Sequence, residues 1–527
     1  MTLLQGPPRV TVPSYDDPVV RGAAELAGGP PGRHARTGER RLLTATRLLL
    51  LLTLLTCTLG WAVKGGCRNG SNWQHEYQYT RACYTDVVAL YSAEGLAQGQ
   101  VPYYDHPVEY PVVIGGVMQL SSVLADGLSE VLPADGPTRQ ARARLAAAST
   151  STEQSQATAA VAYAEANARG RHFYDVSWLL LTACALVVTV TTARLAGRRP
   201  WDAALFALAP GLLVHETTNW DLLATAFAGA GLLAWARRRP VAAGVLLGLG
   251  TATKLYPVLF LVPLLALCWR AGRLRAWAAT AGALVITAVA VTLPVYLTAP
   301  SYDAVTLARV GGSPLTRLGS QGLAALDPYS GRGVNAVWRF FQLNSTRGAD
   351  WDSLYLQLQH LAPGTLVDVP ALNRVVAVLV LLGLAAVVVL ALRAGRRPRL
   401  PQVLFLSMVA FLLANKVDSP QYVLWLLPLA VLARPRWRPF LAWQAAELLV
   451  LLSRFYFFIQ NDKPTQGIDI GWFFAAVLLR DALLLMVAAL VVRDVLRPEH
   501  DVVRADGTDD PAGGLLDGAP DRRLQMA

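Results

Sequence analysis

Arginine-proline turns cut this chain into apolar stretches, and that punctuation limits the fold more than any other feature. The turns are Gly197-Arg198-Arg199-Pro200, Arg237-Arg238-Arg239-Pro240, Gly395-Arg396-Arg397-Pro398 and Arg434-Pro435-Arg436-Trp437-Arg438-Pro439. Arg270, Arg273 and Arg275 form a fifth basic cluster. Arginines beside apolar runs mark the cytoplasmic ends of membrane helices, and Pro suits the first turn of the next helix. Composition agrees. Of 527 residues, 54% are hydrophobic and only 16% charged, against roughly a quarter charged in soluble domains. Mean hydropathy is +0.37. A soluble domain, a disordered chain and a nucleic-acid binder are excluded. The net charge of +11 belongs to the turns, not to a polyanion-binding face.

The stretches between turns are too long for one helix and short for two. Residues 201–236, 241–270 and 401–433 each carry a polar break near the middle: His215 to Asp221, Thr253 to Pro257, and Asn415 to Tyr422. Each stretch reads as a helical hairpin with legs of about 15–18 residues, or about 22–27 Å. A hydrocarbon core is about 30 Å thick. The polar tips then stop short of the far surface, where polar backbone survives by lining a wet cavity. The alternative is ordinary short loops at a thinned bilayer. The expected fold is an all-α polytopic membrane protein of about 12 transmembrane helices, at 42–63, 172–196, 201–215, 220–236, 241–253, 255–270, 276–299, 371–392, 401–414, 421–433, 439–456 and 470–492. Both termini are then cytoplasmic. Residues 1–41 and 498–527 read as disordered cytoplasmic tails flanking a membrane domain at 42–497. The run 42–63 reads as an uncleaved first helix, since no convincing cleavage site follows it. Residues 110–132 are apolar enough for a further helix, but counting it would move the Arg198-Arg199 turn outside. They are read as a juxtamembrane or re-entrant helix. Loop 133–171 strains the scheme, because it puts Arg139, Arg142, Arg144, Arg169 and Arg171 outside.

This topology sends loops 64–171, 300–370 and 457–469 and the three hairpin tips to the outer side. Cys67 and Cys83 share the first of these loops and are expected to form a disulfide outside the reducing cytoplasm. Cys57, Cys184 and Cys268 fall in helices and read as packing residues. Asp86 opens a short amphipathic helix, as an N-cap, as a general base over the cavity mouth, or as both. Asp105 and Glu109 lie close by in sequence, a spacing open to paired-carboxylate chemistry. His106 fits a hydrogen-bonding role. The chain has no HExxH, no CxxC and no His/Cys cluster, so neither a metal nor a cofactor is expected.

The runs YTDVVALY (84–91), PYYDHPVEYP (102–111), NWDLL (219–223), TKLYP (253–257) and NKVDSPQY (415–422) occur in this order. Together they resemble the polytopic C-type glycosyltransferases, above all glycosyltransferase family 87, the group of the polyprenol-phosphate-mannose-dependent α-mannosyltransferases. The resemblance spans roughly 42–495, leaving out both tails and loop 133–171. Val112 departs from it, where many relatives carry a second Pro after the EYP run. The resemblance implies a lipid-linked sugar donor, a mannose carrier in the family pattern, an outer-face active site, inversion at the anomeric carbon, and Asp86 as the catalytic carboxylate.

The residues suit that chemistry. A polyprenyl-phosphate donor needs an apolar groove and cations at its phosphate. Lys254 and Lys416 stand at two tips, as phosphate contacts or as snorkelling side chains. Arg309, Arg317, Arg332 and Arg339 are further candidates in loop 300–370. Tyr103, Tyr104, Trp220, Tyr256, Trp338 and Tyr422 are candidates for stacking on sugars or for the interfacial aromatic belt. Asp221 and Asp418 would bond sugar hydroxyls or cap helices. Asp105, His106, Glu109, Tyr110, Asn219 and Gln421 complete the expected substrate-binding set. The implied partners are the donor, a lipid, glycan or protein acceptor, and membrane lipids. The rival readings are a transporter, a flippase of lipid-linked sugars, and a non-catalytic scaffold. A flippase needs no base, and a carrier places its site at the midplane between repeats.

Overall fold

The computed structural model describes residues 17–26, 44–68, 77–302, 334–462, 465–505 and 507–522. The expected tail 1–41 is therefore mostly outside the described residues, as are Arg309, Arg317 and Arg332. Among the described residues the structure is mainly helical, and its strands are a two-residue ladder pairing Ser301–Tyr302 with Val334–Asn335.

Among the described residues, seven helices are long and apolar enough to cross a membrane: Ala45–Cys67, Val112–Val131, Ser151–Leu195, Leu274–Thr298, Val369–Arg393, Trp437–Gln460 and Ile470–Leu496. Five shorter apolar helices accompany them: Asp221–Ala236, Pro240–Thr253, Tyr256–Arg270, Leu400–Ala414 and Pro420–Ala433. These are the expected hairpin legs. The twelve-helix count takes six of the seven, these five, and 201–215.

Burial separates the helices into two kinds. Leu400–Ala414 and Val423–Ala433 are buried almost all round and form the centre of the core. Leu274–Thr298 and Val369–Arg393 are equally apolar, yet in their most apolar windows only 11% and 17% of residues are buried. Ile286 and Leu381 are 70% and 66% exposed. A helix that is apolar all round and still exposed needs lipid around it. Close contact of Pro240–Thr253 with Leu274–Thr298 depends on glycine. A Cβ on Gly244 would lie 2.3 Å from the Thr280 carbonyl oxygen, and one on Gly248 2.6 Å from that of Leu284. Small residues spaced by four let membrane helices approach in this way.

Five expectations need correction. Residues 201–215 are not one helix: Pro200–Ala203 and Ala204–Ala207 form short turns, and a new helix starts at Pro210. Pro210 has no N–H and holds Ala209 extended. The helix expected at 172–196 starts at Ser151 and runs for 45 residues, opened by a capping box between Thr150 and Glu153. Residues 136–147 form another helix packed against it, so 133–171 is a helical hairpin rather than a loop. The loop expected at 457–469 begins only after the helix ending at Asp462. Finally, 498–522 is no solvated tail. Asp501, Val503, Ala512 and Leu516 are buried, because its carboxylates pair with arginines of the turns.

Helix Val112–Val131 packs along the Ser151–Leu195 helix. Gly115 meets the Tyr103 ring, and Ser129 Oγ lies 2.8 Å from His172 Nδ1. Tyr103 binds the backbone beside Tyr110, and Tyr174, two residues past His172, bonds Thr217.

Candidate active site

The tips and the first long loop close around one cavity of about 900 Å³. Its construction starts at Cys67, which is bonded to Cys83 with Cα atoms 5.7 Å apart. The bond ties the end of the first long helix to the residues before Asp86. Lys64, buried in that helix end, donates to the Tyr84 carbonyl at 2.9 Å and to Thr218 Oγ1 at 2.8 Å. Thr85 Oγ1 donates to the Thr217 carbonyl and also caps the short helix Asp86–Ala93. The cap is thus Thr85, and Asp86 is the first helical residue, free to turn its carboxylate outward. Asp86 N–H donates to the Thr218 carbonyl at 2.8 Å. In this way residues 84–86 are stitched to the 215–220 tip.

The Asp86 carboxylate lines the cavity with both oxygens oriented. Tyr84 Oη donates to Oδ1 at 2.6 Å, and Asn219 Nδ2 donates to Oδ2 at 2.9 Å. Asn219 Nδ2 also donates to Tyr110 Oη at 2.7 Å. A carboxylate oxygen can accept more than one hydrogen bond, so acceptor capacity remains.

Across the cavity, Lys254 sits in an aromatic frame, its Nζ 5.1 Å from the Tyr110 ring centroid and 5.8 Å from that of Tyr422. Beneath it Trp425 is sandwiched by Tyr422 and Tyr256, at centroid separations of 4.0 and 4.6 Å. Asp221 is fully buried under this stack. Its Oδ1 takes Trp425 Nε1 at 2.8 Å and faces Lys254 Nζ at 3.3 Å. Arg347 and Arg454 line the cavity as well. Each has a carboxylate 3.3 Å away, Asp350 and Asp352 respectively. Glu109 lines it too, and burial pushes its carboxyl up to about 7, helped by the Glu94 and Asp86 carboxylates against Arg347 and Arg339.

Of the residues expected from sequence, Asp86, Glu109, Tyr110, Asn219, Lys254, Tyr256, Gln421 and Tyr422 line this cavity. Others do not. Asp105 is exposed and holds its own turn through the Val101 N–H at 2.9 Å. His106 Nε2 pairs with Glu94 at 3.2 Å. Lys416 is turned away, its ammonium spent on the Arg347 carbonyl and Asn373. Asp418 pairs with Arg480 at 2.8 Å. Tyr103 and Trp220 are buried, Tyr104 Oη meets Thr298 Oγ1 at 2.8 Å, Trp338 packs on Tyr296, and Arg339 is buried. Sequence reasoning missed Lys64, Tyr84, Arg347 and Arg454. Lys64 left a signal as a lysine at the far end of an apolar helix, and Tyr84 as the first residue of the YTDVVALY run.

An all-α membrane protein thus gathers an oriented carboxylate and several cations around one cavity. The family model of glycosyltransferase family 87 matches residues 161–415. Over this stretch, just under half of its length, the chain is similar to glycosyltransferase family 87, and the match supports reading it as a glycosyltransferase. The matched stretch holds Asn219, Lys254, Tyr256 and Arg347. Asp86, Glu109, Tyr422 and Arg454 lie outside it and join it through the contacts above. No curated protein matches the chain significantly.

Proposed function

We propose that the chain moves a sugar, mannose by the family resemblance, from a polyprenyl-phosphate donor to a lipid, glycan or protein acceptor, with inversion and with Asp86 as general base. The observation that carries this reading is the Asp86 carboxylate, fixed by Tyr84 and Asn219 on the wall of a cavity that also presents Lys254, Arg347 and Arg454. Asp86 takes the proton of an acceptor hydroxyl as that oxygen attacks the anomeric carbon. The bond from that carbon to the phosphate oxygen breaks, and polyprenyl phosphate leaves with the electron pair. Cations at the departing phosphate stabilise the charge that develops. Lys254 and Arg347 take this role, with Arg347 replacing Lys416, whose ammonium is engaged elsewhere. The Tyr256, Trp425 and Tyr422 stack supplies a flat wall for the sugar or the first isoprene units.

In this reading the arginine turns are cytoplasmic and the cavity opens on the outer side. Cysteines placed at positions 198 and 238, in a background without native free thiols, then stay unlabelled by an impermeant reagent on intact cells. Labelling at either position reverses the topology. The activity is tested by incubating purified protein with a panel of polyprenyl-phosphate sugars and analysing products by mass spectrometry. A flippase moves donor without a base, so full activity of Asp86→Asn in lipid translocation, with no transfer by the parent protein, would support that rival.

A further inference from the structure

Away from the cavity, the arginine turns meet segment 498–522 in a set of buried contacts that the transfer reaction does not use. Arg270 is wholly buried. It donates to both oxygens of Asp521, at 2.7 and 2.8 Å, and to the carbonyls of Ala391 and Ala394, at 2.7 and 3.1 Å. Arg399 is 1% exposed. It donates to both oxygens of Asp501, at 2.7 and 3.0 Å, and to the Leu432 and Ala433 carbonyls, each at 2.7 Å. Each guanidinium thus joins the carbonyl end of one helix to a carboxylate of the segment. That is the end where a helix dipole favours a cation, and a buried arginine needs such bidentate pairing.

The segment grips further elements. Asp510 Oδ2 accepts the Leu400 N–H at 2.7 Å. Trp235 Nε1 donates to the Gly513 carbonyl at 2.8 Å. Gly514 takes a left-handed φ of 59°, and a Cβ there would lie 2.1 Å from the Trp235 carbonyl oxygen. Only glycine allows the segment to lie this close.

The gripped ends belong to helices whose opposite ends build the cavity. Asp221–Ala236 starts at Asp221 and ends beside Trp235. Leu261–Arg270 follows Tyr256 and ends at Arg270. Leu400–Ala414 starts at the Asp510 contact and ends before Asn415. Val423–Ala433 follows Tyr422 and ends on Arg399. These helices have only 10 to 16 residues, about 15–24 Å at 1.5 Å per residue. A shift at one end therefore reaches the other.

We propose that segment 498–522 is a positioning clasp: it holds four short helices in register at the arginine face and thereby fixes the spacing of the tips that carry Asn219, Lys254, Tyr256 and Tyr422. The test is independent of sugar transfer. A cysteine replaces Ser419, which lines the cavity, in full-length protein without other free thiols, and its rate of reaction with a maleimide is followed. Asp501→Asn with Asp521→Asn should lower the melting temperature by several degrees and change the labelling rate severalfold. Glu499→Gln, altered in the same segment but on an exposed side chain away from these arginines, should change neither. An unchanged labelling rate in the double variant overturns the proposal, even if its melting temperature falls, because the segment is then only a local brace. If the double variant does not fold, Asp521→Asn alone decides, with hydrogen exchange of the tips 215–221 and 415–422 as the readout. Faster exchange there supports the clasp, and unchanged exchange overturns it.

Discussion

The two charged faces of this protein use similar residues to opposite ends. At the arginine face, Arg270 and Arg399 are buried and matched, each with a carboxylate on one side and helix-end carbonyls on the other. At the cavity, Asp86, Glu109, Lys254 and Arg347 share one wall system around open space. Asp86 has neutral donors as its hydrogen-bond partners. Charge that is fully matched within the chain stabilises it. Charge left facing a cavity is available to a substrate.

The sharpest way to break this comparison is Asp86→Asn. It keeps the shape but cannot take a proton, and turnover should fall ~10²–10⁴-fold, with donor affinity and melting temperature nearly unchanged. Wild-type turnover with a defined donor would move the base elsewhere, with Glu109 the next candidate. The mirror experiment is Arg399→Met. It leaves Asp501 buried without its cation and should cost about 3–5 kcal/mol of stability, read by denaturant unfolding in detergent micelles. Adding Asp501→Asn should return much of that loss.

Lys254 stands between the two classes, because it faces both the cavity and Asp221. Lys254→Met with Asp221→Asn avoids an orphaned carboxylate. We expect donor binding weakened on the order of 10–100-fold, from the loss of a charged hydrogen bond of ~1.5–3 kcal/mol, measured by titration with labelled donor. Unaltered affinity would place the phosphate at Arg347 or Arg454.

The smallest effect concerns Glu109. Its carboxyl is raised from the ordinary 4.5 to about 7, first by burial. Between these values the folded chain holds a proton that the unfolded chain has released, so stability falls as pH rises through this window. An anionic donor meets a neutral Glu109 below about 7 and a charged one above it. Donor affinity should therefore decline as pH rises past neutrality. Glu109→Gln should flatten both trends, and a pH profile identical to wild type would remove Glu109 from the binding site.

Much of the cavity was legible because its residues sit in polar breaks of apolar runs, where ionisable groups at membrane depth demand a reason. Asn219, Lys254 and Tyr422 are legible in this way, whereas Asp86 is legible from the first long loop, where it opens a short helix within the YTDVVALY run. Arg347 and Arg454 were not, since a single arginine in a loop or helix carries no periodic signal. Lys416 misled, because sequence placed it at a tip but not the direction of its side chain. Segment 498–522 misled through composition. Its Asp, Gly and Pro read as solvated, and only the partner arginines, more than a hundred residues earlier, make them structural. The helix from Ser151 was hidden because its first twenty residues lack membrane hydropathy, although Thr150 and Glu153 spell a helix start.

That helix extends beyond the cavity. At 45 residues it is about 67 Å long, twice the span of a hydrocarbon layer. Tyr174, bonded to Thr217, marks the level of the cavity, so residues 151–173 continue for about 34 Å beyond it at 1.5 Å per residue. Helix Gly136–Ala147 runs back along this extension, with Arg142 paired to Glu165 and Arg171 to Asp135. The two helices form an arm that extends past the level of Tyr174. Arg142 and Glu165 are exposed along it, a surface that suits water rather than hydrocarbon.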